Sequence, residues 1–162
     1  MSEPTLAKQP GSRYCFVCGR ENPHGLKLEF YDQAPGVVVA NYTVSPEYQG
    51  YPGVVHGGII ATMLDEATGR SVMRTSPSGF TVTSQLSIRY RKPVPVGQPL
   101  KVVGRAGTRQ GRVTKATGQI LNQAGSVLAE AEAVMVDIPE ATVTQMDTEM
   151  IGWKVYPDQP EE

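Results

Sequence analysis

The sequence predicts an α+β domain, one helix packed on an antiparallel sheet. Three observations carry that expectation. Apolar residues alternate with period two through six stretches. A single stretch, His56 to about Thr75, switches to helical spacing. Short turns join the later strands, whereas parallel βαβ units would alternate strands with helices.

Taken in order, residues 1–13 are polar and carry Pro4, Pro10 and Gly11, so they read as a flexible leader. Cys15 to Gly25 is a knot dense in turn residues. Leu26, Leu28 and Phe30 alternate with Lys27, Glu29 and Tyr31. After Ala34-Pro35-Gly36 the pattern resumes at Val38, Ala40, Tyr42 and Val44, which predicts a hairpin. A Pro- and Gly-rich loop from Ser45 to Gly53 leads to the helix. There Ile59, Ile60, Met63, Leu64 and Ala67 form an apolar stripe, and Gly69 marks a point where the helix can bend. Strands follow over about 81–91, 100–109, 112–121 and 126–138, with Gln110-Gly111 and Asn122 to Gly125 as turns. Residues 14–138 therefore form one domain, and 139–162 a C-terminal extension, partly mobile, in which Trp153 and Tyr156 are available to dock.

Composition narrows the function. Lys+Arg 15 against Asp+Glu 16 gives a net charge of −1, which argues against a general nucleic-acid binder or an anionic-membrane binder. No run approaches the ~20 apolar residues that span a bilayer, and Met1 to Arg13 has no apolar signal region; a cytoplasmic location is expected. Two cysteines cannot make a disulfide scaffold.

The sharpest local feature is Pro52-Gly53-Val54-Val55-His56-Gly57-Gly58 with Asp65 downstream. Gly57 and Gly58 open the helix, where N–H groups lack intrahelical partners and the dipole is positive. That end can bind an oxygen gaining negative charge. Asp65 lies among Met63, Leu64 and Ala67, a costly place for a carboxylate without a task. Nine residues separate His56 from Asp65. At about 100° and 1.5 Å per residue they lie about 180° and 13.5 Å apart. One helix cannot bring both to one reacting atom, whereas two antiparallel helices across a two-fold axis can. A homodimer with shared sites is expected.

QGYPGVVHGGIIATMLDEATG (49–69) and TVTSQLSIRYRKPVPVG (81–97) resemble hotdog-fold thioesterases of the phenylacetyl-CoA thioesterase type. CFVCGRENPHGLKLEF (15–30) is similar to the opening of further members, so the resemblance covers roughly 15–138. It implies a long central helix wrapped by a curved antiparallel sheet of about six strands, and dimers that can pair into tetramers. It implies hydrolysis of an acyl-CoA to free acid and CoA, with CoA as part of substrate and product and neither cofactor nor metal. On the matching positions Asp65 would be general base or nucleophile. Gly57 would supply the oxyanion N–H, with Gly58 beside it. Thr83 would position water, and His56 would orient the helix start. One departure stands out: Gly50, with Gln49 beside it, occupies a position where some members carry an Asn that holds thioester or water.

Period two sets Val82, Leu86, Ile88 and Tyr90 on one face and Thr83, Gln85, Ser87 and Arg89 on the other, unless a bulge intervenes. Arg89, Arg91 and Lys92 cluster before the Pro93–Pro95 corner and are the candidates to meet the CoA phosphates. Two other readings stand beside the hydrolase. One is a non-catalytic acyl-CoA or lipid binder, which Gly50 keeps open. The other is a metal- or redox-responsive module built on Cys15, Cys18 and His24, a set one ligand short of the usual four.

Overall fold

The computed structural model describes residues 6–146 and 148–158. The strands are β1 (Ala7–Lys8), β2 (Tyr31–Ala34), β3 (Val37–Thr43), β4 (Thr81–Tyr90), β5 (Pro99–Gln110), β6 (Val113–Leu121) and β7 (Val127–Asp137). They form one antiparallel sheet in the order β1-β2-β3-β5-β6-β7-β4. Helix α1 (Gly57–Val72) lies across it, and the short helices α2 (Glu140–Thr144) and α3 (Thr148–Ile151) follow β7. The α+β expectation holds, with seven strands in place of about six. No helix among the described residues is long and apolar enough to cross a membrane.

The helix stripe explains the docking. Ile60, Met63, Leu64, Ala67 and Val72 are buried against Val38, Ala40, Val102, Ile120 and the alanines of β7. Ala129, Ala131 and Ala133 alternate with Glu130 and Glu132, so β7 offers a low inner surface and a charged outer one. Two glycines let α1 sit close. A Cβ on Gly104 of β5 would lie 2.0 Å from the Ala67 carbonyl oxygen, and one on Gly118 of β6 would meet Leu64 and Thr68 at 3.2 Å. The helix runs unbroken through Gly69, where a Cβ would stand 3.4 Å from the Met135 methyl.

Two expectations about the chain's first part are corrected. Leu26, Leu28 and Phe30 are buried in alternation, but the ladder starts only at Tyr31. Lys27 has φ 59°, in the left-handed region, which a strand cannot carry; Leu26 and Leu28 bond instead to Phe16 and Val17 of the knot. The leader is also docked over its described part: β1 pairs with β2, and Gly11 exchanges backbone bonds with Lys154. Residues 1–5 lie outside the described residues. The C-terminal extension likewise packs back, with the Trp153 ring 5.3 Å from Phe80 and 5.5 Å from the Arg70 guanidinium. Its last residues, 159–162, lie outside the described residues.

Candidate active site

His56 caps α1. Its backbone is extended, and its Nδ1 accepts the Gly58 N–H at 2.9 Å. The His56 carbonyl takes the N–H groups of Ile59 and Ile60. Among the described residues no acceptor takes the Gly57 N–H. Tyr90 holds the same turn from the far end of β4, donating its hydroxyl to the Gly57 carbonyl at 2.9 Å. A methyl on Gly57 would meet only the Tyr90 ring, at 3.6–3.7 Å, so packing within one chain does not demand glycine there. The helix start is thus fixed in place with one donor facing outward. Replacing His56 by Ala should cost about 1 kcal/mol by loss of the cap, read as a lower midpoint in urea; unchanged stability would mean that the Gly58 N–H is satisfied by other means.

Asp65 sits two turns further on. Thr83 donates its hydroxyl to Asp65 Oδ1 at 2.6 Å. A bulge between Thr83 and Gln85 produces this contact. It corrects the sequence expectation for β4: Thr83 shares the helix-facing side with Leu86, Ile88 and Tyr90, and Val82 is turned out, 53% exposed. Gln85, Ser87 and Arg89 line hollows on the outer sheet face, as the alternation requires. Asp65 and Thr83 open into a cleft of about 180 Å³, walled by Gly69, Met73, Phe80 and Trp153.

The remaining candidates are more scattered. Gln49 Oε1 accepts the Gly53 N–H at 3.3 Å and so braces the loop before the helix. A side chain on Gly50 would stand 3.3 Å from the His56 Cα, so this loop runs closely over the cap. Arg89 faces outward across from Glu130, and Arg91 is ion-paired with Glu130. Lys92 is exposed at the corner. The sequence reading missed Tyr90 as the clamp on Gly57, although its period-two position relative to Leu86 and Ile88 was visible.

Beside Asp65, Glu66 also borders the cleft and reaches toward the two cysteines of the knot. Arg70 Nε donates to Glu66 Oε1 at 2.8 Å, and Arg70 also bonds Pro10 and stacks on Phe30. Burial pushes the Glu66 carboxyl up against the pull of Arg70. Cys18 is held below the ordinary thiol range by the hydrogen bond from Cys15 and by the charge of Arg70, and Cys15 is pushed correspondingly up by the same bond and by burial. His24 is exposed and takes no part in this cluster, which corrects the set expected from sequence.

A helix laid across one antiparallel sheet of seven strands is the architecture of a hotdog-fold protein. Comparison with known proteins agrees. Residues 52–129 match the family model of the thioesterase superfamily. It is 38% identical over 80 residues to the acyl-coenzyme A thioesterase THEM4 of Rattus norvegicus, covering 48% of this chain and 34% of that protein. The chain thus spans about a third of the length of the THEM4 relatives it matches. A crystal structure of a thioesterase superfamily protein is similar at TM-score 0.69 and 31% identity, covering 76% of this chain and 63% of that one. The smu.793 protein of Streptococcus mutans UA159, solved bound to acetyl CoA, is similar at TM-score 0.62 and 27% identity, covering 67% and 86%.

Proposed function

We propose that the chain hydrolyses an acyl-CoA thioester to a free acid and CoA. The observation that carries this is the Thr83–Asp65 hydrogen bond at the mouth of the cleft. It aims a carboxylate into a space an acyl group can enter. The names of THEM4 and the acetyl CoA bound to smu.793 support the substrate class.

Asp65 acts as general base on water or attacks the carbonyl directly, with Thr83 holding it or the water in line. Either attack puts negative charge on the thioester oxygen. The Gly57 N–H at the positive end of α1 stabilises that charge, an effect of about 3–4 kcal/mol for one such donor. CoA then leaves as a thiolate; a thiol pKa of about 8.5 makes acid assistance largely unnecessary. Arg89 and Lys92 bring positive charge for the CoA phosphates, and Arg91 joins them only by leaving Glu130.

Gly57 and Asp65 of one chain cannot meet at one carbonyl, because the helix separates them by about 12 Å. The reading therefore requires a dimer in which Gly57 of one chain faces Asp65 of the other. β4 supports it: among the described residues this edge strand pairs only with β7, and it exposes Val82 and Tyr90, each 53%. Co-expression of Asp65→Asn with Gly57→Leu tests it. Random pairing leaves one site in four free of both changes, so about a quarter of wild-type activity should return. No recovery would mean that Gly57 and Asp65 do not share a site across the dimer.

The function itself is tested by thiol release from short, medium, long and aromatic acyl-CoAs. Turnover of at least one is expected; tight binding with none turned over favours the non-catalytic binder instead.

A further inference from the structure

We propose that Cys15, Cys18 and Glu66 bind a zinc ion that pins the N-terminal knot to the middle of α1. The ligand atoms of these three side chains all lie within 4.8 Å of one another. In a tetrahedral zinc site, sulfur and oxygen ligands stand about 3.5–3.8 Å apart, given Zn–S near 2.3 Å and Zn–O near 2.1 Å. Only a small closure separates the two arrangements.

The knot is built as a ligand-bearing turn. The Val17 N–H donates to Cys15 Sγ at 3.3 Å, and the Gly19 N–H to the Cys15 carbonyl at 2.8 Å. A Cβ on Gly19 would lie 2.3 Å from that carbonyl, so glycine after the second cysteine is what allows the turn to close. Ser12 Oγ accepts the Cys15 N–H at 3.1 Å and touches Cys18 Sγ at 3.7 Å. These contacts orient both sulfurs toward the helix before any metal arrives. On the helix side, the Arg70 bond to Glu66 Oε1 fixes the carboxylate, as a neighbour to a metal ligand does.

Charge also favours a divalent cation. Metal binding displaces the thiol protons to solvent; two thiolates and a carboxylate then carry three negative charges, and Arg70, with its side chain 4% exposed, returns one positive. A zinc ion brings the cluster to neutrality, which a buried group of charges needs. Two sulfurs and one oxygen suit zinc better than magnesium or calcium, which prefer oxygen alone. Cys15 and Glu66 are only partly buried, which leaves water access to a fourth position. The chemistry is distinct from that proposed for Asp65: Glu66 bonds Arg70 while Asp65 accepts from Thr83, and the ion would act on stability.

The full-length chain, stripped of metal and kept reduced, should be titrated with Co²⁺ and then Zn²⁺. One equivalent of Co²⁺ should give thiolate charge-transfer absorption and the visible bands of a tetrahedral site, both displaced by Zn²⁺. Cys18→Ser should abolish the charge-transfer band. Glu66→Gln should keep it and weaken Co²⁺ binding at least about tenfold, and His24→Ala should change nothing. Zn²⁺ at a hundredfold excess over its Kd should raise the melting temperature of the wild-type chain by about 5–10 °C. That last measurement decides the matter even if a variant fails to fold. Absence of charge-transfer absorption in the reduced chain, Glu66→Gln binding as tightly as wild type, or a Cys15–Cys18 disulfide forming as readily with zinc as without it would each overturn the proposal.

Discussion

Replacing Asp65 by Asn is expected to lower kcat for thioester hydrolysis by about a hundred- to ten-thousand-fold, with KM little changed. The substitution is isosteric, and an amide oxygen can still accept the Thr83 hydroxyl that Asp65 Oδ1 accepts at 2.6 Å. The cleft walls of Gly69, Met73, Phe80 and Trp153 keep their places, so substrate should still enter. What disappears is the ability to take a proton from water or to form an anhydride, and both routes need the carboxylate. The effect falls on an interaction made only in the transition state, which is why it should appear in kcat. Thiol release under saturating substrate measures it, with circular dichroism to show that the fold is intact. An Asn variant retaining more than a tenth of wild-type kcat would move the chemistry elsewhere in the cleft.

Much of this site was legible in the sequence because its parts are local. The Gly-Gly start and the aspartate nine residues after His56 lie on one helix, and helical spacing alone predicts where each points. Thr83 was legible as a residue and misplaced as a side. Nothing in TVTSQ announces the bulge at Ser84, which comes from pairing with β7 and decides which face Thr83 takes. The same limit applied to Leu26, Leu28 and Phe30. Their burial followed the alternation, and the positive φ of Lys27 denied them a ladder. Cys15 and Cys18 announced a third partner. The nearer histidine in sequence was not it, because Glu66 reaches the sulfurs only once α1 has docked beside the knot. Contacts made across elements in this way carry no period and no spacing to read.

The tightest of those cross-element contacts sets the largest expected loss of stability. Gly104→Ala should cost more than about 3 kcal/mol, beyond the usual range for an overpacked core position. The added methyl would stand 2.0 Å from the Ala67 carbonyl oxygen and 2.6 Å from its carbon. Both are backbone atoms, so no rotamer change relieves the clash. Helix α1 must lift from β5, and the lift opens gaps around Met63, Leu64 and Val102, all at 0% exposure. Gly118→Ala provides the contrast. Its nearest neighbours are the ends of Leu64 and Thr68 at 3.2 Å, which can give way, so it should cost about 1 kcal/mol. For a chain of this size, about 2–4 °C of melting temperature accompany each kcal/mol. Gly104→Ala should then melt at least about 6 °C below wild type, and Gly118→Ala only a few degrees below. The loss extends to function. Asp65 lies two residues from Ala67 on the same helix, so lifting the helix draws the carboxylate away from Thr83, and activity should fall in Gly104→Ala well below its melting transition. Equal melting temperatures for the two variants would mean that α1 does not rest on β5 through that glycine.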